Sequence, residues 1–346
     1  MWRIISAVVD LLDSSIAKVH AHRAVASYRI ADEDAAKYIA SEIAKVRETA
    51  KYIASEIARI REGAEQGGAW EQYLLGVMHT TGQGVPQNDG QAVKWTRKAA
   101  EQGHADAQYD LGKRYYDGQG VPQDYEQSLK WYTKSAEQGH ADAQFSLGSC
   151  YFSIPGVSRD FKQDTKWMRK AAEQGHADAQ YDMSDRYWRG FGGVAEDKVE
   201  SVKWSRKAAE QGHADAQYGL GSCYINGGQG VPQDYEQAVK WYTKSAEQGQ
   251  VQAQYGLGSC YEDGTGVPQD YVLAYKWYKL AALSNYLEGE WAEGARAGLA
   301  ERMTAEQIAA GQWLSIEFLA AEQIAEGQRL FMQLLADCEK AANSTK

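Results

Sequence analysis

Apolar residues in the middle of the chain recur with a helical period, in pairs of runs separated by a short turn. Between His104 and about Asp117, the residues Ala107, Gln108, Leu111, Gly112 and Tyr115 fall on one helical face. The stretch GQGVPQD follows. Gly118 and Gly120 stop the helix, Pro122 forbids its continuation, and Asp124 is placed to cap the next one. Leu129, Trp131, Ser135 and Ala136 then mark a second helix over about 125–137, ended by Gly139. One such hairpin cannot bury both its faces, so the pattern predicts a unit that packs on neighbours of its own kind.

The chain supplies those neighbours. EQGHADAQ occurs at 101–108, 137–144, 173–180 and 210–217, with degenerate copies EQGGAWEQ at 65–72 and EQGQVQAQ at 247–254. The starts Gly68, His104, His140, His176, His213 and Gln250 are spaced 36, 36, 36, 37 and 37 residues apart, so six units cover about 68–285. Tryptophans recur in register (Trp95, Trp131, Trp167, Trp204, Trp241, Trp277), and all five prolines fall in the inter-helix turns. The predicted fold is all-α, a solenoid of helix–turn–helix repeats. Gly112, lacking a Cβ, lets a neighbouring helix approach closely.

The flanks, 1–67 and 286–346, are amphipathic but differently patterned. Residues 1–30 and 36–60 place apolar residues at alternating three- and four-residue steps, and AKYIASEIAKVRET is followed at once by AKYIASEIARIREG. Ile39, Ile43, Val46, Ile53, Ile57 and Ile60 thereby form a seam of period 3.5, suited to a coiled coil. It pairs either between chains, giving a homo-oligomer, or within the chain against the first repeat. At the other end, AEQIAAGQWL and AEQIAEGQRL stand 16 residues apart, and Thr304 with Gln307 makes a capping box.

The phrase AEQGHADAQYDLGKRYYDGQGVPQDYEQSLKWYTKSAEQG resembles the Sel-one-like repeat (SLR) family, relatives of tetratricopeptide repeats. Arg302 to Ala309 resembles the capping helix that closes such arrays. The resemblance implies a right-handed superhelix whose first helices line a concave wall, and adaptor or scaffold roles, here with a bacterial source as the expectation. The chain departs from the secreted cysteine-rich members, since its second helices carry no cysteine. It also departs in two turns: the third unit reads SIPGVSRD and the fourth RGFGGVAED, where others read DGQGVPQD, so those loops are expected to differ in shape.

Charge narrows the partner. Lys plus Arg number 37 against 47 Asp plus Glu, a net −10 over 346 residues, which argues against nucleic acid or an anionic membrane surface. The apolar run at Ile4 to Val9 is too short for a membrane span, and Asp10 and Asp13 break the region, so no signal peptide is expected. Cys150, Cys223 and Cys260 occupy one place in the repeated LGSCY, copies rather than disulfide partners. Together with Cys338 they are expected as free thiols in a cytoplasmic protein.

On the first helices, the direction opposite the core carries Asp106, Asp110, Lys113 and Asp117, and their equivalents down to Gln252, Gly256, Ser259 and Asp263. Nine aspartates against one lysine and one arginine make this stripe acidic, fit for a basic partner. Alternatively, Asp106, Asp142, Asp178 and Asp215 sit in first turns simply because the helix dipole favours acids there. Tyr116, Phe152 and Trp188 would anchor a partner or wedge between hairpins. The candidate partner-binding face is thus Asp110, Lys113, Arg114, Tyr116, Phe152, Asp182, Asp185, Arg186 and Trp188. In the first unit the stripe is apolar, with Trp70, Leu74, Val77 and Met78, and asks to be covered by the N-terminal helix or by a partner helix.

Catalytic candidates fail on geometry. His104, His140, His176 and His213 come one per repeat, too far apart to share a metal, and read as helix caps. Asp178, Asp182 and Asp185 share a face but read as a solvated acidic surface. No phosphate-loop or nucleophile-elbow motif is present. The expectation is a non-enzymatic protein-binding scaffold with no cofactor, metal or catalytic residue. The alternatives are a neutralising binder of a toxin or effector, and a cell-wall or β-lactam-binding enzyme.

Overall fold

The computed structural model describes residues 51–153, 159–228, 230–284 and 287–321. Among these the structure is helical, with one isolated bridge between Gly228 and Val231 and no strand. The chain divides into two compact units, whose described parts are 51–138 and 139–321.

The first unit contains α1 (51–65), α2 (Ala69–Thr81), α3 (Asp89–Glu101), α4 (Ala105–Asp117) and α5 (Tyr125–Glu137). Helix α2 packs on α3, α3 on α4, and α4 on α5. The second unit contains α6 (Ala141–Ser153), α7 (Phe161–Glu173), α8 (Ala177–Arg189), α9 (Lys198–Glu210) and α10 (Ala214–Asn226). It continues with α11 (Tyr235–Ala246), α12 (Val251–Asp263), α13 (Tyr271–Ala281), α14 (Leu287–Ala300) and α15 (305–321). Successive helices from α6 to α14 pack on one another. Each unit is α-solenoid, as the repeat predicts.

Local chemistry sets the boundaries. The second helix of each hairpin starts at an Asn or Asp whose side chain accepts a backbone N–H of the first turn, as Asp124 does from Gln127 at 3.0 Å. Most first helices end on a glycine in the left-handed region, such as Gly118 at φ 72°. Pro86, Pro122, Pro232 and Pro268 lie exposed in the turns, while the third turn, 154–158, lies outside the described residues. The fourth turn is held by Thr165, whose hydroxyl donates to the Gly192 carbonyl at 2.8 Å.

Alanines, a Leu or Met on each first helix (two on α2, Leu75 and Met78), and the recurring tryptophans fill the core. Helices meet closely at the glycines: a Cβ on Gly112 would lie 2.7 Å from the Tyr132 ring. The EQG…AQ phrase has a structural cause. Gln108 donates to the carbonyl of Ala100 at 3.0 Å and accepts from Gln138 at 2.7 Å. Gln217 repeats both bonds with Ala209 and Gln248. The buried amides thus form a fully used ladder through each stack.

Helix α1 belongs to this ladder. Gln72 donates to the Ala64 carbonyl at 3.0 Å, and Ile57 and Ile60 pack on Ala64, Leu75, Met78, Val85 and Trp95. The second heptad copy therefore serves as half a repeat, joined to the first hairpin across the boundary drawn at 67. At the far end the expected capping box forms: Thr304 N–H donates to Gln307 Oε1 at 2.9 Å, and Gln307 N–H to Thr304 Oγ1 at 3.3 Å. Helix α15 then packs Phe318 on Trp277.

Candidate partner-binding wall

The first helices present their polar stripe to solvent. Lys113, Asp117, Asp142, Asp178 and Asp215 are exposed, and Asp110, Ser146, Ser149, Asp182, Asp185 and Ser222 are half-buried. Tyr116, Phe152 and Trp188 are each between 37% and 45% exposed. Tyr116 meets Tyr125 edge-on at 5.5 Å, Phe152 lies 6.0 Å from Phe161, and Lys198 Nζ sits 4.1 Å over Trp188. Each ring thus leans on the start of its own second helix and keeps an open edge.

The acids of the wall are more occupied than their number suggests. His176 Nε2 reaches Asp142 at 3.4 Å and His213 Nε2 reaches Asp178 at 3.5 Å, while Gln250 donates to Asp215 at 3.2 Å. The same histidines cap their own helices, His213 Nδ1 accepting the Ala216 N–H at 3.2 Å. Burial lowers the pKa of His104, which favours the neutral ring that a cap of this kind needs.

Arg114 and Arg186 require correction. Both are expected on the partner-binding face, but they are buried, with 2% and 5% exposure. They stand one residue, or 100° of helix, beyond the stripe at Lys113 and Asp185. Arg114 Nε donates to Asp110 at 3.0 Å and its Nη2 reaches Thr80. Arg186 bonds Asp182, the Thr165 hydroxyl at 2.8 Å, and both oxygens of fully buried Asp164 at 2.9 Å. Burial pushes the Asp164 carboxyl up against the pull of Arg186. Both arginines hold helices together and hold wall acids in place; neither is free to grip a partner.

At the first unit Met78 is buried, and Trp70, Leu74 and Val77 are half-buried. Trp70 stacks on His104 at 5.6 Å. The expected seam divides: Ile39, Ile43 and Val46 lie outside the described residues, while Ile53 is buried and Ile57 and Ile60 face the first hairpin.

The Sel1 repeat model matches residues 72–104, 105–140, 141–176, 177–213, 214–250 and 251–286. The chain belongs to the Sel1 repeat family. Among solved structures, the SLR-fold protein c5321, a protective antigen of uropathogenic Escherichia coli strains, is 33% identical with a TM-score of 0.54. It is matched over 80% of this chain and 67% of its own. A Sel1 repeat protein from Oxalobacter formigenes is 30% identical with a TM-score of 0.56, over 68% of this chain and 97% of its own. The immunity protein Pa5087 from Pseudomonas aeruginosa is 25% identical over 56% of this chain and 74% of its own, with a TM-score of 0.36, a likeness too low to argue from. A search of curated proteins gave no match. Sel1 repeat proteins are generally protein-interaction scaffolds.

Two further features of the Sel1 hairpins bear on chemistry. Cys150, Cys223 and Cys260 are free thiols; burial pushes Cys150 up to about 12 and Cys260 to about 11, which makes them poor nucleophiles. No His, Cys, Asp and Glu cluster among the described residues could hold a metal ion, and no described helix is long and apolar enough to cross a membrane. The fourth hairpin also opens a cavity of about 520 Å³ onto the wall, lined by Tyr181, Asp185 and Trp188 among others. No pattern rule flagged it, because it arises from what Ser205 leaves out.

Proposed function

We propose that this Sel1 repeat chain is a non-enzymatic scaffold that binds a protein partner along the wall of its first helices. One observation carries the reading. Residues that build the stack repeat from hairpin to hairpin, whereas two positions of the wall differ among the second, third, fourth and fifth hairpins: Asp110 and Lys113, Ser146 and Ser149, Asp182 and Asp185, then Gly219 and Ser222, a pair the sixth repeats as Gly256 and Ser259. A surface that varies while its frame is copied is suited to recognising a macromolecular partner. The aromatic rings of Tyr116, Phe152 and Trp188 supply anchors at its edge. Because most of its acids already have partners, charge on this wall orients a partner more than it attracts one.

The test is a comparison of faces. A partner cross-linked to full-length protein is identified and its affinity measured against wall variants (Lys113→Glu, Asp185→Lys) and against variants on exposed second-helix positions (Glu137→Lys, Lys240→Glu). Tenfold or greater losses confined to the wall are expected. Losses confined to the second helices would overturn the assignment.

A further inference from the structure

The second and the last two hairpins share an internal contact that the fourth lacks. After the tryptophan of the second helix comes a tyrosine, Tyr132, Tyr242 or Tyr278, whose ring lies against a tyrosine of the first helix. Tyr218 and Tyr242 stack at 5.7 Å with an interplanar angle of 21°. The Tyr242 ring is held between two glycines: a Cβ on Gly221 would lie 2.6 Å from it, and one on Gly256 would lie 3.1 Å from it. Its hydroxyl shares a hydrogen bond with Ser222 at 3.1 Å, and that of Tyr278 donates to Glu262 at 3.0 Å. In the first and third hairpins Thr96 and Met168 take the ring's place, against Gly76 and Gly148.

In the fourth hairpin the tyrosine is replaced by Ser205, and the space stays open as the cavity of about 520 Å³. Three of the surroundings that serve Tyr242 have counterparts here, while Gly221 is replaced by Ser184. Tyr181 stands in the register of Tyr218 as a stacking face. Gly219 stands in the register of Gly256, with nothing nearer to its missing Cβ than the Ser205 hydroxyl at 3.8 Å. Asp185 stands in the register of Ser222, which accepts or donates at the phenol oxygen. The floor is already satisfied: Ser201 Oγ donates to the Ser184 carbonyl at 2.8 Å, Ser184 and Ser201 share a bond at 3.1 Å, and Ser205 donates to the Ala216 carbonyl at 3.3 Å. Covering such a floor with an apolar ring strands no polar group.

We propose that the fourth hairpin is a socket for the phenol ring of a tyrosine on a docked protein partner, stacked on Tyr181 with its hydroxyl donated to Asp185. The socket rests on the scaffold reading and specifies where on the wall one anchor goes. Ser184 stands where the hairpins with a tyrosine have glycine, and its Cβ prevents a ring from lying as Tyr242 does over Gly221. The guest therefore enters from the wall, between Tyr181 and Tyr218, rather than from the second helix. Aromatic offset stacking supplies the contact, and a charge-assisted hydrogen bond supplies selection for a phenol over a phenyl ring.

Two probes test this on the full chain. One is p-cresol, the free side-chain analogue, followed by ligand-observed NMR; the other is an acetylated peptide with one central tyrosine flanked by lysine and glycine, alongside its phenylalanine twin. Both tyrosine probes are expected to bind and to compete, with the phenylalanine peptide about tenfold weaker. Ser184→Gly with Ser205→Tyr, which restores the pattern of the fifth hairpin, should abolish binding of both. Asp185→Ala, which removes the acceptor of a half-buried side chain that Arg189 Nε otherwise meets at 2.7 Å, should erase the preference for tyrosine without unfolding the hairpin. Binding unchanged in the double variant, equal affinity for the two peptides, or no binding to the unaltered chain each overturns the socket. Binding of p-cresol without the peptide would also overturn it, by pointing to a small aromatic ligand. A cross-linked partner that still loses affinity through Lys113→Glu in that event leaves the scaffold reading standing.

Discussion

The fourth and fifth hairpins fold to the same backbone with opposite interiors. The fourth buries Arg186 in an ion pair with Asp164 of the third, and leaves an opening beside Ser205. The fifth has Cys223 in the register of Arg186, with Ser201 on the preceding second helix in the register of Asp164, and Tyr242 filling the ring site. The frame is set by what they share: an Asp cap on the second helix, a His cap on the first, the tryptophan and the glutamine ladder. Where the frame is this redundant, individual hairpins are free to carry charge or space that would be costly in a domain with a single core.

Breaking that contrast at its charged end should have the largest effect. Asp164→Ala strands Arg186 in the interior and is expected to cost about 3–5 kcal/mol, read from urea unfolding with hydrogen exchange resolved over α7 and α8. Replacing both Asp164 and Arg186 by leucine should recover most of the loss, because the pair itself carries little net stability. A mild effect of Asp164→Ala alone would mean that water reaches the arginine. Next comes the ring: Tyr242→Ser gives the fifth hairpin the interior of the fourth and should cost about 3 kcal/mol, with exchange rising in α10 and α11.

The shared caps make an internal control. His176→Ala and His213→Ala each remove one cap bond and should cost about 1 kcal/mol, the same in both hairpins. Unequal losses would show that the hairpins differ in frame as well as filling. The smallest effect is at the thiols. Burial raises Cys150 to about 12 and Cys260 to about 11, so at pH 8 they should alkylate far more slowly than in denaturant, as site-resolved mass spectrometry would show. Since their folded pKa values are raised, their contribution to stability is fully present below the unfolded value near 8.5 and is lost as pH rises towards 11 and 12.

Much of this was legible beforehand, for identifiable reasons. Period, glycine and proline placement, and Asp124-type caps are local signals, and they locate the hairpins to within a residue or two. Gly112 announced its close neighbour because only close packing repays a glycine within a helix. Burial of Arg114 and Arg186 was not legible, since Thr80, Asp164 and Thr165 sit on other hairpins and a helical wheel holds no information across hairpins. Nor was the opening at Ser205, which becomes visible only when its register is compared with Tyr242. The half repeat of α1 was within reach: Ala64-Glu65-Gln66-Gly67 repeats the ending of later second helices, but the heptad spacing before it suggested another use.

The glutamine ladder has one more effect, on how such a chain can grow. Spacing changes from 36 to 37 residues at the fourth and fifth hairpins, yet their first helices keep 13 residues, and the added residue falls in the turns 190–197 and 227–234. An insertion inside EQGHADAQ would rotate the amide by 100° away from its carbonyl and open the seam between neighbours. Lengthening is therefore channelled to the rim, where a hairpin can acquire a new edge while its joints remain compatible with every other hairpin in the row.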